Sequence, residues 1–133
     1  MEKRAKVLII DDDPDFVESI IAVLESQYEV VMASDGTEGV RVAREERPDV
    51  IILDVMMGMM DEGFEVSRKL KRDPESKHIP ILMLTAMQGR TGFDFMPVAG
   101  DEVWLPVEDY VDKPAPPAEL LGRIEKLLEG RAQ

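Results

Sequence analysis

Five polar residues stand where short apolar runs end. Asp11 and Asp12 follow VLII, Asp54 follows IIL, Thr85 follows ILML, and Lys113 follows YVD. Three carboxylates gathered in one place repel one another unless a cation offsets their charge, and a cluster with only oxygen donors suits a hard divalent ion such as Mg²⁺. A carboxylate in that setting serves as a nucleophile toward phosphorus, provided positive charge balances the transferring oxygens. Lys113 supplies a compact ammonium with three donors, and the Thr85 hydroxyl donates to an oxygen that arrives with the phosphoryl group. Taken singly these residues say little. Asp11-Asp12-Asp13 alone could open a helix as solvated acids, and a lone Asp, Thr or Lys at a strand end is uninformative.

The elements that would position these residues are readable in the chain. Apolar runs at Val7 to Ile10, Glu29 to Ala33, Val50 to Leu53 and Ile81 to Leu84, with a weaker one at Tyr110 to Val111, alternate with helix-period segments. Such alternation predicts a parallel sheet. Asp13 and Pro14 predict the start of a helix whose apolar face is Phe16, Ile20, Val23 and Leu24. A second helix is expected near Thr37 to Glu46 with Val40 and Ala43 inward, ending before Arg47-Pro48, and a third from about Phe64 to Arg72. The last, from Pro117, presents Leu120, Leu121, Ile124, Leu127 and Leu128 as a core stripe. In an open parallel sheet with right-handed crossovers, ligands bind beyond the strand C-termini, between the first and third strands. The five polar residues should therefore converge there.

Residues 87 to 108 break the rhythm. The stretch MQGRTGFDFMPVAGDEVWLPVE holds three Gly and two Pro and no sustained apolar period, so an irregular loop packed by Phe93, Phe95 and Trp104 is expected. Its place after Thr85 makes it a candidate output surface.

Composition narrows the function. The 133 residues, 44% hydrophobic, fit a single domain with a proper core, 1–133, with no output domain expected. The chain has no Cys and one His, which excludes thiol chemistry and Cys/His zinc sites and leaves oxygen ligands for any metal. His78 lies in the polar PESKHIP segment and reads as a surface residue. Net charge of −12 opposes binding to nucleic acid. No apolar stretch reaches membrane-spanning length and the N-terminus lacks a signal-peptide pattern, so a cytoplasmic protein without membrane contact is expected.

LIIDDDPDF, IILDVMM, ILMLTA and YVDKP, in this order, resemble the signature segments of response-regulator receiver domains, and the resemblance covers essentially the whole chain. It implies an α/β doubly wound fold of five parallel strands, order 2-1-3-4-5, with helices on both faces. Here the fourth helix of the family would give way to the irregular loop. It also implies that Asp54 is the phosphoacceptor and that Asp11, Asp12, Asp54 and the Met56 carbonyl hold Mg²⁺. Thr85 and Lys113 would contact the phosphoryl group, and Tyr110 would be the switch aromatic. The implied partners are a histidine kinase or histidine phosphotransfer protein and an unidentified downstream protein. Such a domain is not a turnover enzyme, since it catalyses only its own phosphotransfer and dephosphorylation. Two features differ from the family pattern. The loop after Asp54 reads VMMGMMDEG, with Gly58 where relatives carry Pro and one added residue, and the span from Thr85 to Lys113 is longer than usual.

Other classes fit less well. An aspartyl-phosphate phosphatase would need a D-x-D-x-Thr-like segment after the first strand, where Asp11-Asp12-Asp13-Pro14-Asp15 stands. A flavin carrier of the same architecture needs phosphate-cradling amides there, and an EF-hand loop is denied by Phe16 and Ala22 at its turn-Gly and bidentate-Glu positions. The remaining alternative is a receiver fold used as a protein-interaction module independent of phosphate.

Overall fold

The computed structural model describes residues 5–54, 62–85, 109–112 and 117–132. Five strands form its sheet: β1 (Lys6–Ile10), β2 (Glu29–Ala33), β3 (Val50–Asp54), β4 (Ile81–Thr85) and β5 (Asp109–Asp112). Every pairing is parallel and the spatial order is β2-β1-β3-β4-β5. Four helices accompany it among the described residues: α1 (Pro14–Leu24), α2 (Gly36–Glu46), α3 (Glu62–Arg72) and α4 (Pro117–Ala132). The expected loop at 87 to 108 lies outside the described residues.

Strand residues divide by parity between two apolar layers. Leu8, Ile10, Ile51, Leu53, Ile81 and Met83 pack with Ala43 of α2 and with Val66 and Leu70 of α3. Val7, Ile9, Val50, Ile52, Leu82 and Leu84 pack with Val17, Ile20 and Leu24 of α1 and with Leu120 and Ile124 of α4. Helices thus cover both faces, which is why these strands are apolar without alternation. On α1 the fully buried line is Val17, Ile20 and Leu24, while Phe16 and Val23 lie at its margin. His78 is exposed, as expected.

The helix ends follow local chemistry. Asp13 caps α1, its side chain accepting from the Asp15 and Phe16 amides at 3.1 and 3.3 Å, with Pro14 in the first turn. Asp35 caps α2 by accepting from the Glu38 amide at 2.8 Å. At the other end of α2, Arg47 adopts the left-handed conformation, φ 49°, a place that glycine ordinarily takes.

One close approach fixes α2 against β1. A Cβ built on Gly39 would stand 2.6 Å from Ile10 Cδ1 and 2.9 Å from Ile10 Cγ1. Ile10 is fully buried, so its side chain has little room to yield. Gly39→Ala is therefore expected to destabilise the fold by about 1–2 kcal/mol, overpacking outweighing the gain in helix propensity. Ile10→Val deletes Cδ1, the nearest of these atoms, and should therefore cost less in the Gly39→Ala background than in the wild type. Denaturant midpoints of the four proteins check this, and strictly additive effects would contradict the contact.

At the opposite end of the sheet, Lys6 ties β1 to α2. Its ammonium donates to Glu46 Oε1 at 2.9 Å and lies 3.4 Å from Glu29 Oε2, while its backbone amide donates to Asp49 Oδ2 at 2.7 Å. The hydrogen bond to Glu46 is the main cause that raises the Lys6 pKa above its ordinary 10.5, against the opposing effect of burial. Burial, helped by Glu125, likewise raises the Tyr28 phenol above its ordinary 10.0. In both cases folding favours the protonated form. Their contribution is complete below the unfolded-state values and is lost as pH rises through the raised, folded ones. Stability should hold through neutrality and decline in the lysine and tyrosine titration range, with a smaller decline in Lys6→Met. Urea midpoints across alkaline pH measure it, and a flat profile would contradict the assignment.

Candidate functional site

The three consecutive acids after β1 occupy three different environments. Asp11 continues the pairing of β1 with β2, its amide donating to the Ala33 carbonyl at 3.1 Å, and its residue is only 3% exposed. Its Oδ1 accepts from the Asp13 amide at 2.9 Å, a tight Asx-type turn that swings the chain into α1. Asp12 is exposed and Asp13 is spent on the α1 cap. A solvated acidic helix start accounts for Asp12 and Asp13. It does not account for Asp11, which is buried where its two neighbours are exposed.

Sheet register places the other residues. Ile10 pairs with Leu53, so Asp11 and Asp54 follow at the same level on adjacent strands, a spacing of about 4.8 Å between neighbouring strand axes. Asp54 closes β3 and pairs with Leu84, and Thr85 closes β4 opposite Asp112, the last residue of β5. Tyr110 sits on β5 opposite Met83. The backbones of Asp11, Asp54 and Thr85 therefore meet at one edge, the C-terminal edge, of the three central strands. Lys113 and Met56 lie outside the described residues, each one or two positions beyond a strand end at that same edge. Strand order reverses between β1 and β3, the place where an open parallel sheet leaves a crevice for a ligand.

Sequence reasoning missed the turn made by Asp11. It assigned the carboxylate to a metal alone, whereas Oδ1 also orders the backbone that carries Asp12 and Asp13. The signal was available in the D-x-D spacing, which favours a side chain accepting from the amide two residues on.

Residues 7–125 match the response regulator receiver domain family, and the chain belongs to that family. It is 34% identical over 130 residues to protein PilH of Pseudomonas aeruginosa, an alignment covering 95% of this chain and 99% of PilH. It is 37% identical over 131 residues to response regulator PleD of Caulobacter vibrioides, of which it spans only 26%. Among solved structures, a response regulator from Chloroflexus aurantiacus superposes with a TM-score of 0.81 at 34% identity, covering 96% of this chain and 99% of that one. The chemotaxis response regulator CheY4 of Vibrio cholerae gives 0.79 at 31%, covering 94% and 99%. The match to a small part of PleD and to nearly all of PilH shows the same unit used within longer proteins and as almost a whole chain. Among the described residues, no helix is long and apolar enough to cross a membrane.

Proposed function

We propose that this chain is a cytoplasmic receiver that takes a phosphoryl group from a histidine kinase or histidine phosphotransfer protein onto Asp54, in a Mg²⁺-dependent reaction, and thereby switches a protein–protein interaction. The observation that carries the reading is the buried Asp11, held level with Asp54 at the C-terminal edge of the sheet. The donor set fits Mg²⁺: Asp11 and Asp12 are adjacent, only oxygen is offered, and exposed Asp12 leaves room for retained waters. Asp11, Asp12, Asp54 and the Met56 carbonyl would hold the ion. When bound, the ion neutralises the acids and the charge on the transferring oxygens.

The chain's own groups supply the rest. An Asp54 carboxylate oxygen attacks phosphorus in line with the leaving group. The new O–P bond forms as the donor's N–P bond breaks, and the imidazole keeps that electron pair and takes up a proton. Lys113 balances charge on the phosphoryl oxygens, Thr85 donates to one of them, and Tyr110 follows the movement of Thr85 as the switch aromatic. Hydrolysis returns the carboxylate, so the domain acts on itself and on no other substrate. Residues 87 to 108, directly after Thr85, are the proposed surface read by the downstream partner, with Trp104 as its natural fluorophore.

Incubation with Mg²⁺ and acetyl phosphate, followed by intact mass measurement, tests the reading. A gain of one phosphoryl group is expected. A mass that never changes would favour the phosphate-independent interaction module.

A further inference from the structure

We infer that Asp13 is a positioning residue for the Mg²⁺ site, an inference that rests on Asp11 and Asp12 holding the ion as proposed above. Asp13 joins a carboxylate of that site to the start of α1. Its amide donates to Asp11 Oδ1 at 2.9 Å. Its own Oδ1 accepts from the Asp15 and Phe16 amides at 3.1 and 3.3 Å, and its carbonyl accepts from the Val17 amide at 3.0 Å. Of the three consecutive acids only Asp11 is buried, so the group that Asp13 holds is the one set into the sheet edge.

These contacts form a chain of constraint. The first amides of a helix have no intrahelical partners, and a side chain that accepts from them keeps the first turn from fraying. Pro14 narrows that turn further through its fixed φ. Asp13, held extended at φ −97° and ψ 102°, therefore offers Asp11 a donor in one place rather than many. The sheet sets the Asp11 main chain through the bond from its amide to the Ala33 carbonyl, and the Asp13 amide then orients its carboxylate. Orientation matters to this ion in particular, since Mg²⁺ demands near-octahedral ligands and gives up water reluctantly. Groups that orient a metal ligand by hydrogen bonding are commonly worth about tenfold or more in affinity. The Asp13 Oδ1 is engaged by the helix, so Asp13 acts through Asp11 rather than on the ion. Linkage makes the effect reciprocal: the factor by which the cap strengthens Mg²⁺ binding is the factor by which bound Mg²⁺ steadies the first turn.

The test is a titration of the intact, isotopically labelled chain with MgCl₂, followed by backbone amide NMR shifts and amide hydrogen exchange. Asp13→Asn and Asp13→Ala lose the same charge, but only Asn keeps an oxygen that caps the helix. The Mg²⁺ dissociation constant of the Ala variant should therefore stand about fivefold above that of the Asn variant, with Asp13→Ser, another capping residue, close to Asn. Ile124→Val trims a buried side chain on α4, lowers stability to a similar degree, and should bind Mg²⁺ like the wild type. In the wild type, Mg²⁺ should slow exchange of the Phe16 and Val17 amides severalfold. Equal dissociation constants for the Asn and Ala variants would leave charge as the whole contribution of Asp13 and overturn the inference. A loss in Ile124→Val as large as in Asp13→Ala would trace the effect to stability and overturn it as well. A wild type that binds Mg²⁺ with unaltered Phe16 and Val17 exchange would overturn the inference alone, whereas one that binds no Mg²⁺ would remove the metal site and the inference with it.

Discussion

Asp54→Asn is expected to abolish phosphoryl uptake from acetyl phosphate while leaving the thermal unfolding midpoint within a few degrees of wild type. The amide is nearly the size of the carboxylate but lacks its nucleophilic oxygen, so the loss should be essentially complete rather than graded. No lesser effect is consistent with the proposal, because the other acids at this edge have other work. Asp11 accepts from the Asp13 amide and Asp13 caps α1. Intact mass under identical conditions reads the difference. Full stoichiometric uptake by the Asn variant would place the acceptor elsewhere.

The second large effect concerns the cation. Millimolar Mg²⁺ should raise the melting temperature of the wild type: at ten times the dissociation constant the stabilisation is about 1.4 kcal/mol, roughly 5 °C for a domain of this size. Asp12→Ala should remove that response. Asp12 is exposed and Asp13, not Asp12, forms the helix cap, so the fold loses little and is relieved of like-charge repulsion. Asp11 calls for a gentler change. Asp11→Asn retains an oxygen for the Asp13 amide while removing the charge, whereas Asp11→Ala would also undo the turn into α1. Melts with and without Mg²⁺ distinguish the cases. A wild type indifferent to the ion would remove the metal from the account.

The three central strands were legible because they are buried on both faces and therefore read as unbroken apolar runs, as at Val50 to Leu53. The start of α1 was legible because Asp13 and Pro14 each act locally, through a cap and a fixed φ. The α1 face was read less well. Ile20 and Leu24 are buried as expected and Phe16 and Val23 pack at the margin of the same cluster, while the buried Val17, three positions before Ile20, was passed over. Strand-end placement of Asp11, Asp54 and Thr85 followed from pattern alone, since a parallel sheet puts all C-termini at one edge. Three features were out of reach of pattern. The contact of Gly39 with Ile10 depends on how closely α2 approaches β1, the burial of Asp11 depends on its continued pairing with Ala33, and the meeting of Arg44 with Asp73 depends on the packing of α2 against α3. Each is a tertiary relation between residues distant in sequence, without a local period to announce it.

The central claim is that phosphate arrives on one particular carboxylate at the C-terminal edge of β3. Borohydride reduction of the phosphodonor-treated protein converts an aspartyl phosphate to homoserine, and peptide mapping then locates it. The account predicts homoserine at position 54 alone, dependent on Mg²⁺ and absent in excess chelator. Homoserine at Asp11, Asp12 or any other acid, or none at all in protein that has gained phosphoryl mass, would contradict it.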